Sequence, residues 1–262
     1  MKKRTLILSS LIGLILFACG GGGGGGGGGG TDTGDTTFNA LEYLNKDMTK
    51  TYTYQVSEYA AGSDTPTTTN SWVYNYGQTA SIPSAYGYTG SIEGPYIVEE
   101  LEIDGTLVAR TFKGSDGTSI ISDNSSIYTM NVPEHYSSSG NIPSEMTLGT
   151  QYGMTSTADL LNSNPGQGTV GEKLGTRTES YTIRIVSEEN VTVTAGTYLA
   201  IKTQETTAVT ITTSGGTKTL NTTSSSWWGK GIGPVKSVAN TVVVAPDGTT
   251  TTSVTTELTT VE

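Results

Sequence analysis

From residue 38 onward, apolar and polar side chains alternate almost one by one. Tyr52, Tyr54 and Val56 fall on one face of an extended segment. Tyr181, Ile183 and Ile185 share one face of another, with Thr182 and Arg184 opposite. A period of two marks half-buried strands, whose successive side chains point to opposite sides. Turn signals punctuate the alternation. Asp104-Gly105 separates Tyr96–Ile103 from Thr106–Lys113, and Asp116-Gly117 separates Arg110–Lys113 from Thr118–Ser122. Gly215-Gly216 and Pro246-Asp247-Gly248 divide two further pairs of runs. Asp-Gly and Gly-Gly supply the positive φ that tight hairpins need. At least ten strands are predicted. Helical signal is sparse. Ser156-Thr157-Ala158-Asp159 before Leu160-Leu161 has the form of a capping box opening one short helix, stopped before Pro165-Gly166. Phe38, Leu41 and Leu44 are spaced to line a second short turn, and Ser137–Gly140 and Asn162–Gly168 read as loops. The expected fold is all-β: one domain over residues 38–262, built as a single large, strongly curved antiparallel sheet with one or two short helices. A half-barrel, a closed barrel and a sandwich share this strand pattern, since each is a way to protect the edges of so long a meander.

The first 37 residues follow other rules. Lys2, Lys3 and Arg4 precede a mostly apolar stretch, Thr5–Ala18, of 14 residues. That is short of the ~20 residues needed to span a bilayer, and it reads as an export signal over residues 1–18. It ends in Leu16-Phe17-Ala18-Cys19, which resembles the lipobox of bacterial lipoproteins, with a bulkier residue than usual at Phe17. The resemblance implies cleavage before Cys19, a diacylglycerol on its thiol and a further acyl chain, palmitate being the typical one, on the new amine. Cys19 is the only cysteine of the chain. The partner it implies is membrane lipid, since two acyl chains anchor stably. Gly20 in place of Asp after the cysteine implies the outer membrane of a Gram-negative envelope. Residues 19–37 then form a tether, with eleven consecutive glycines from Gly20 to Gly30 and no apolar residue as far as Thr37. Such a chain is a flexible linker with an r.m.s. reach of about 25 Å. A phosphate-binding glycine loop is excluded, because no strand precedes the run and no Lys or helix follows it.

Composition narrows the chemistry. Loss of Lys2, Lys3 and Arg4 leaves 11 basic residues against 24 acidic ones, net −13. That argues against nucleic acid, whose binding runs on clustered Lys and Arg. One Cys and one His exclude disulfides and multi-histidine or cysteine-rich metal sites. Neither a cofactor nor a metal is expected. Forty-eight threonines and 14 tyrosines favour strands.

Three groups of side chains are candidates for function. His135 is the one imidazole, beside Ser137–Ser139, but no Gly-x-Ser-x-Gly elbow accompanies it. Glu99, Glu100, Glu102 and Asp104 form a local acidic group, of which Glu100, Glu102 and Asp104 share a strand face. Paired carboxylates serve hydrolysis or Ca²⁺, and equally serve solvation of a hairpin's outer side. Trp72, Tyr74, Tyr76, Tyr86, Tyr88 and Tyr96 gather in one stretch, and Trp227 and Trp228 follow later. Aromatics with polar tips suit a ligand surface, and they suit cross-strand packing. In an extended segment Trp227 and Trp228 point to opposite faces, one into the core and the other to the surface or a groove.

Three segments resemble a group of exported bacterial proteins of unknown function. Tyr43, Leu44 and Tyr54 match the first element, while Asn45, Thr49 and Tyr52 stand where Pro, Gly and Trp are usual. Pro143 with Gly149-Thr150-Gln151-Tyr152 matches the second. The third is the most specific: Val191-Thr192-Val193-Thr194-Ala195-Gly196-Thr197-Tyr198 with Lys202, then Trp228-Gly229-Lys230-Gly231-Ile232-Gly233-Pro234-Val235-Lys236. Thr194 stands where Pro is usual. The resemblance implies a curved antiparallel sheet, in the manner of the LolA/LolB lipoprotein-carrier half-barrels, and carries no catalytic residues.

The expected function is that of a lipid-anchored cell-envelope protein, a non-enzymatic binding or structural module holding an apolar small molecule or an envelope protein. The alternatives are a surface adhesion or glycan-binding module, with the aromatics from Trp72 to Tyr96 exposed in a row, and a hydrolase working through a carboxylate pair or His135.

Overall fold

The computed structural model describes residues 36–39, 42–43, 47–81, 95–113, 119–123, 128–129, 136–141, 145–162, 169 and 172–262. The export signal, Cys19, the glycine tether, Tyr86, Tyr88 and His135 lie outside the described residues. Fifteen strands are described: β1 (Thr37–Asn39), β2 (Tyr52–Ala60), β3 (Thr68–Thr79), β4 (Tyr96–Ile103), β5 (Thr106–Lys113), β6 (Ser119–Asp123), β7 (Tyr128–Thr129), β8 (Tyr136–Asn141), β9 (Glu145–Thr147), β10 (Gln151–Asn162), β11 (Lys173–Val193), β12 (Gly196–Thr213), β13 (Gly216–Gly229), β14 (Gly233–Ala245) and β15 (Gly248–Val261). Thirteen of them form one antiparallel sheet in the order β6-β5-β4-β3-β2-β15-β14-β13-β12-β11-β10-β7, with β8 also on β10. β1 and β9 form a small separate pair.

Three of the four turn signals sit where hairpins form, and Asp116-Gly117 lies outside the described residues. Asp104 and Gly105 have φ of 50° and 75°, the two left-handed residues that a two-residue hairpin turn requires. Ser214-Gly215 and Pro246-Asp247 close β12–β13 and β14–β15, with Thr213 opposite Gly216 and Ala245 opposite Gly248.

Two expectations fail. Ser156–Leu161 is not a helix but the middle of β10. It pairs on one side with β11, Ser156 opposite Glu179, and on the other with β8, Ser156 opposite Ser138. A cap is worth ~1 kcal/mol, and ladders on both edges of the segment outweigh it. The serine run Ser137–Gly140 is accordingly the strand β8 rather than a loop. Helix is confined, among the described residues, to one short turn at Glu42 and Tyr43.

The sheet curls. Its two ends in the ladder order, β6 and β7, come together in space without sharing a ladder. Covalent geometry requires this, because only the span from Asp123 to Tyr128 joins them, at most about 18 Å of extended chain. One face is therefore inward on almost every strand. Following the register, that face carries Tyr54 and Val56 (β2), Trp72 and Tyr74 (β3), Leu101 (β4), Val254 (β15), Ala239 (β14) and Trp228 (β13), all buried. The β11–β12 hairpin outruns β13 and folds across one end, where Ala195 N donates to Leu258 O at 3.3 Å. Its arm is covered on both sides. Val193 and Ala200 pack with Tyr52, Tyr54, Val235 and Leu258. Ile201 and Ile185 pack with Tyr43, Met146 and Trp228.

Close strand approach predicts one sensitive position. A Cβ at Gly175 would lie 2.1 Å from Thr212 O, whereas one at Gly77 would meet nothing within 4 Å. Gly175→Ala should cost about 1–3 kcal/mol, the usual range for overpacking, while Gly77→Ala should leave the urea midpoint close to wild type. Equal midpoints for the two variants would contradict this packing.

Candidate functional site

The inward face divides into an apolar half and a polar band. The apolar half is filled by the chain itself, through the β11–β12 arm against Tyr52, Tyr54 and Leu258. An apolar ligand therefore meets a region already occupied by side chains. The polar band lies further along β11–β14 and consists of Arg177, Glu179, Thr203, Glu205, Thr222, Ser224, Ser226, Ser237 and Thr241, all buried.

Glu205 is at the centre of that band. On β12, Ile201, Thr203, Glu205 and Val209 share a phase, so the strand that buries Ile201 must bury Glu205 too. Its Oε1 accepts from Thr203 Oγ1 at 2.5 Å and from Trp228 Nε1 at 3.1 Å. Its Oε2 accepts from Ser224 Oγ at 3.4 Å. Burial nevertheless raises the carboxyl's pKa, the donors of Thr203, Trp228 and Ser224 opposing it only in part. Tyr181, beside it, is held well above the ordinary phenol value by burial first and then by Glu205. Two residues before Tyr181, Glu179 meets Arg177 at 2.5 Å, both nearly buried. Burial outweighs the guanidinium, so Glu179 is also raised.

A second polar group lies across the interior. Glu99 is buried on β4, opposite Thr111 on one side and Tyr76 on the other. The hydroxyls of Tyr54, Tyr74 and Tyr76 are all pushed well above the ordinary value by burial, with Glu99 adding to it. The rings meet edge to face, Tyr54–Tyr74 at 5.6 Å and Tyr52–Tyr76 at 6.1 Å between centroids.

Five buried polar atoms have no hydrogen-bond partner among the described residues: Trp72 Nε1, Glu58 Oε1, Thr256 Oγ1, Ser226 Oγ and Glu179 Oε1. All five belong to inward positions. Three lie on neighbouring strands of that face: Thr256 is opposite Val56, Glu58 is two residues along β2 from Val56, and Trp72 is opposite Tyr54.

The candidates read from sequence fare unequally. Trp72, Tyr74 and Tyr96 are buried and Tyr76 is half-buried, so the exposed row that an adhesion surface requires is not formed by these residues. Tyr86 and Tyr88 lie outside the described residues. Trp228 is buried and Trp227 half-buried on the opposite face, as the strand period requires. The acidic group does not converge. Glu100 pairs with Arg110, and Asp104 Oδ1 accepts from Ser71 N at 2.9 Å, while Glu99 turns inward. Among the described residues no group of three or more His, Cys, Asp or Glu could hold a metal ion. Glu205, Glu179 and Arg177 were not singled out from sequence. Their signal is phase alone, a carboxylate in register with Ile201 and Val209.

No protein-family model matches the chain, and no curated protein does. Solved structures similar to it include one from Bacteroides fragilis NCTC 9343, described as a "putative exported protein with YmcC-like fold". It is 15% identical with a TM-score of 0.40, over 84% of this chain and 98% of that one. A "putative lipoprotein" from Parabacteroides distasonis ATCC 8503 is 10% identical with a TM-score of 0.36, over 84% of this chain and 99% of that one.

The buried carboxyls predict an inverted pH dependence. Glu179 and Glu205 hold protons more tightly folded than at the ordinary value of 4.5. From that value upward, through the raised one, the folded protein binds more protons than the unfolded chain, so stability falls as pH rises. Glu205→Gln should melt near wild type at about pH 4 and above it at about pH 7.5, by roughly 2–4 °C for each kcal/mol relieved. Equal melting at both pH values would mean that the fold accommodates the ionised carboxylate.

Proposed function

We propose that the protein is a lipid-anchored component of the bacterial cell envelope, carried on the outer membrane through acylated Cys19, and that its curled sheet is a non-enzymatic binding module for a small polar ligand. The observation that carries the ligand class is the set of unpartnered inward polar atoms at Trp72, Glu58, Thr256, Ser226 and Glu179. Each such group costs about 1–3 kcal/mol unless something bonds to it. A polyhydroxylated or amide-bearing molecule offers both donors and acceptors to that set. The polar band offers the same surroundings, hydroxyls beside raised carboxyls. The apolar ligand first expected is the weaker reading, because the apolar half of the inward face is packed by the β11–β12 arm. The anchor reading rests on Leu16-Phe17-Ala18-Cys19 and the glycine tether behind it.

Two measurements test this. Cys19→Ala should leave the protein in the soluble fraction, and the wild-type N-terminal peptide should carry acyl mass; an unmodified, soluble wild type would overturn the anchor. Native mass spectrometry of the gently extracted protein should show a small polar adduct beyond the acyl chains, which Trp72→Phe weakens at least tenfold. A bare wild-type mass, or an adduct of apolar composition, would overturn the ligand class.

A further inference from the structure

The inward polar band of β11 and β12 is short of positive charge. Its charged side chains are Arg177, Glu179 and Glu205, each more than nine-tenths buried. The Arg177 guanidinium meets Glu179 Oε2 at 2.5 Å. That leaves Glu179 Oε1 buried with no hydrogen-bond partner among the described residues. Glu205 is bonded by neutral groups, those of Thr203, Trp228 and Ser224. It meets no cation at ion-pair distance among the described residues. Carboxyl side chains are almost never this deep in a fold unless paired, and here two of them share one guanidinium.

The adjacent strands do not supply the missing charge. Glu179 is opposite Val209 on β12 and Ser156 on β10. Glu205 is opposite Ile183 on β11 and Ser224 on β13. Between the two carboxyls runs one row of hydroxyl-bearing residues, Tyr181, Thr207, Thr222 and Thr241, opposite one another on β11 to β14. Thr207, inward between Glu205 and Val209, is only half-buried, so this row keeps contact with solvent. Glu205 and Val209, the partner of Glu179, are four residues apart on one strand, about 13 Å. A single hydroxyl does not bridge that distance, whereas a ring carrying several polar groups acts on both sides of the row.

Charge decides the kind of ring. A neutral hydroxyl would satisfy Glu179 Oε1 as a hydrogen bond and leave the excess of carboxyls as it is. An anionic ligand would add to that excess. An ammonium supplies the donor and the charge together, and a charge-assisted bond is about twice as strong as a neutral one. Its attraction to the carboxyls is largest where water is excluded. We propose that the ligand of this interior is an amine-bearing polyol, in its simplest form an amino sugar, whose ammonium donates to Glu179 Oε1 and whose hydroxyls meet the row from Tyr181 to Thr241. Glu205 adds its charge from the other side of that row. The inference rests on the polar-ligand reading above and narrows it to one class.

Full-length protein in detergent is titrated by calorimetry with glucosamine, with N-acetylglucosamine and with glucose, below the pKa of the amine. Glucosamine should bind saturably, and the two neutral sugars at least tenfold more weakly. Glu179→Gln should weaken glucosamine at least tenfold. Glu205→Gln, which leaves the Arg177–Glu179 pair intact, should weaken it severalfold and leave the neutral sugars unaffected. Neutral sugars that bind as well as glucosamine would overturn the amine and leave the polar ligand standing. So would a failure of glucosamine to bind while the native mass spectrum carries another polar adduct. Unchanged glucosamine affinity in both variants would overturn the assignment to these carboxyls. A bare native mass with no binding of any of the three sugars would overturn this proposal and the polar-ligand reading together.

Discussion

The ladder between β11 and β12 aligns the rest of the molecule. It runs from Gly175 opposite Thr213 to Val193 opposite Gly196, with one irregularity between Ile185 and Ser187. That irregularity does specific work. Before it, Tyr181, Ile183 and Ile185 share the inward phase of Ile201 and Thr203. After it, the phase of β11 inverts, and Val191 and Val193 join Tyr198 and Ala200 on the other side of the arm. A bulge adds one residue to one strand and bends it. Here it lets a two-stranded arm bury both of its faces, one against Tyr52, Tyr54 and Leu258, the other against Tyr43 and Met146. A ladder in unbroken register would leave Val191 and Val193 on the Glu188 side, where Tyr43 OH donates to Glu188 Oε1 at 2.6 Å.

Once the phase is set, the interior's chemistry follows. β12 and β13 place Thr203, Glu205, Ser224 and Ser226 inward because their neighbours in phase, Ile201 and Trp228, are inward. The fold thereby holds carboxyls and hydroxyls in a region of low dielectric. The donors around Glu205 reduce the cost without removing it, as its raised pKa shows. A sheet seeking only stability would put apolar residues at these positions, as it does at Val209, Leu220 and Val243 further along the same strands. Polar groups kept inside at a cost in stability are what the proposed binding role asks of this interior.

The sequence made strands and turns legible where the signal was local. Asp104-Gly105 and Pro246-Asp247-Gly248 fall at hairpins because two or three residues suffice to specify a tight turn. The face of Tyr52, Tyr54 and Val56 was readable from period two alone. Ser156–Leu161 misled because a capping box is also local, whereas the ladders with β8 and β11 that make it a strand are not. The candidate site was hidden for a related reason. Glu205 lies between Thr203 and Thr207 on its side of the strand, so the apolar signal of that side, Ile201 and Val209, is interrupted where the site lies. The register with Trp228 and Ser224 is what shows the carboxyl among polar partners.

The Trp227-Trp228 pair shows how one local irregularity serves both faces. Against β12 the two residues pair in sequence, with Lys202 and Ile201. Against β14 they pair with Lys236 and Pro234, so Val235 is the residue in excess. Val235 is fully buried in the core with Tyr54 and Leu258. A Cβ at Gly229 would lie 3.0 Å from it, so the missing side chain at Gly229 is the space that the bulged valine uses. With Val235 turned inward, Lys236 stays in the outer row beside Trp227. Trp228 keeps the inward phase from which its N–H reaches Glu205. The extra residue at Val235 thus allows one dipeptide to supply an indole donor to the buried carboxyl and a second indole to the outer row beside Lys202 and Lys236.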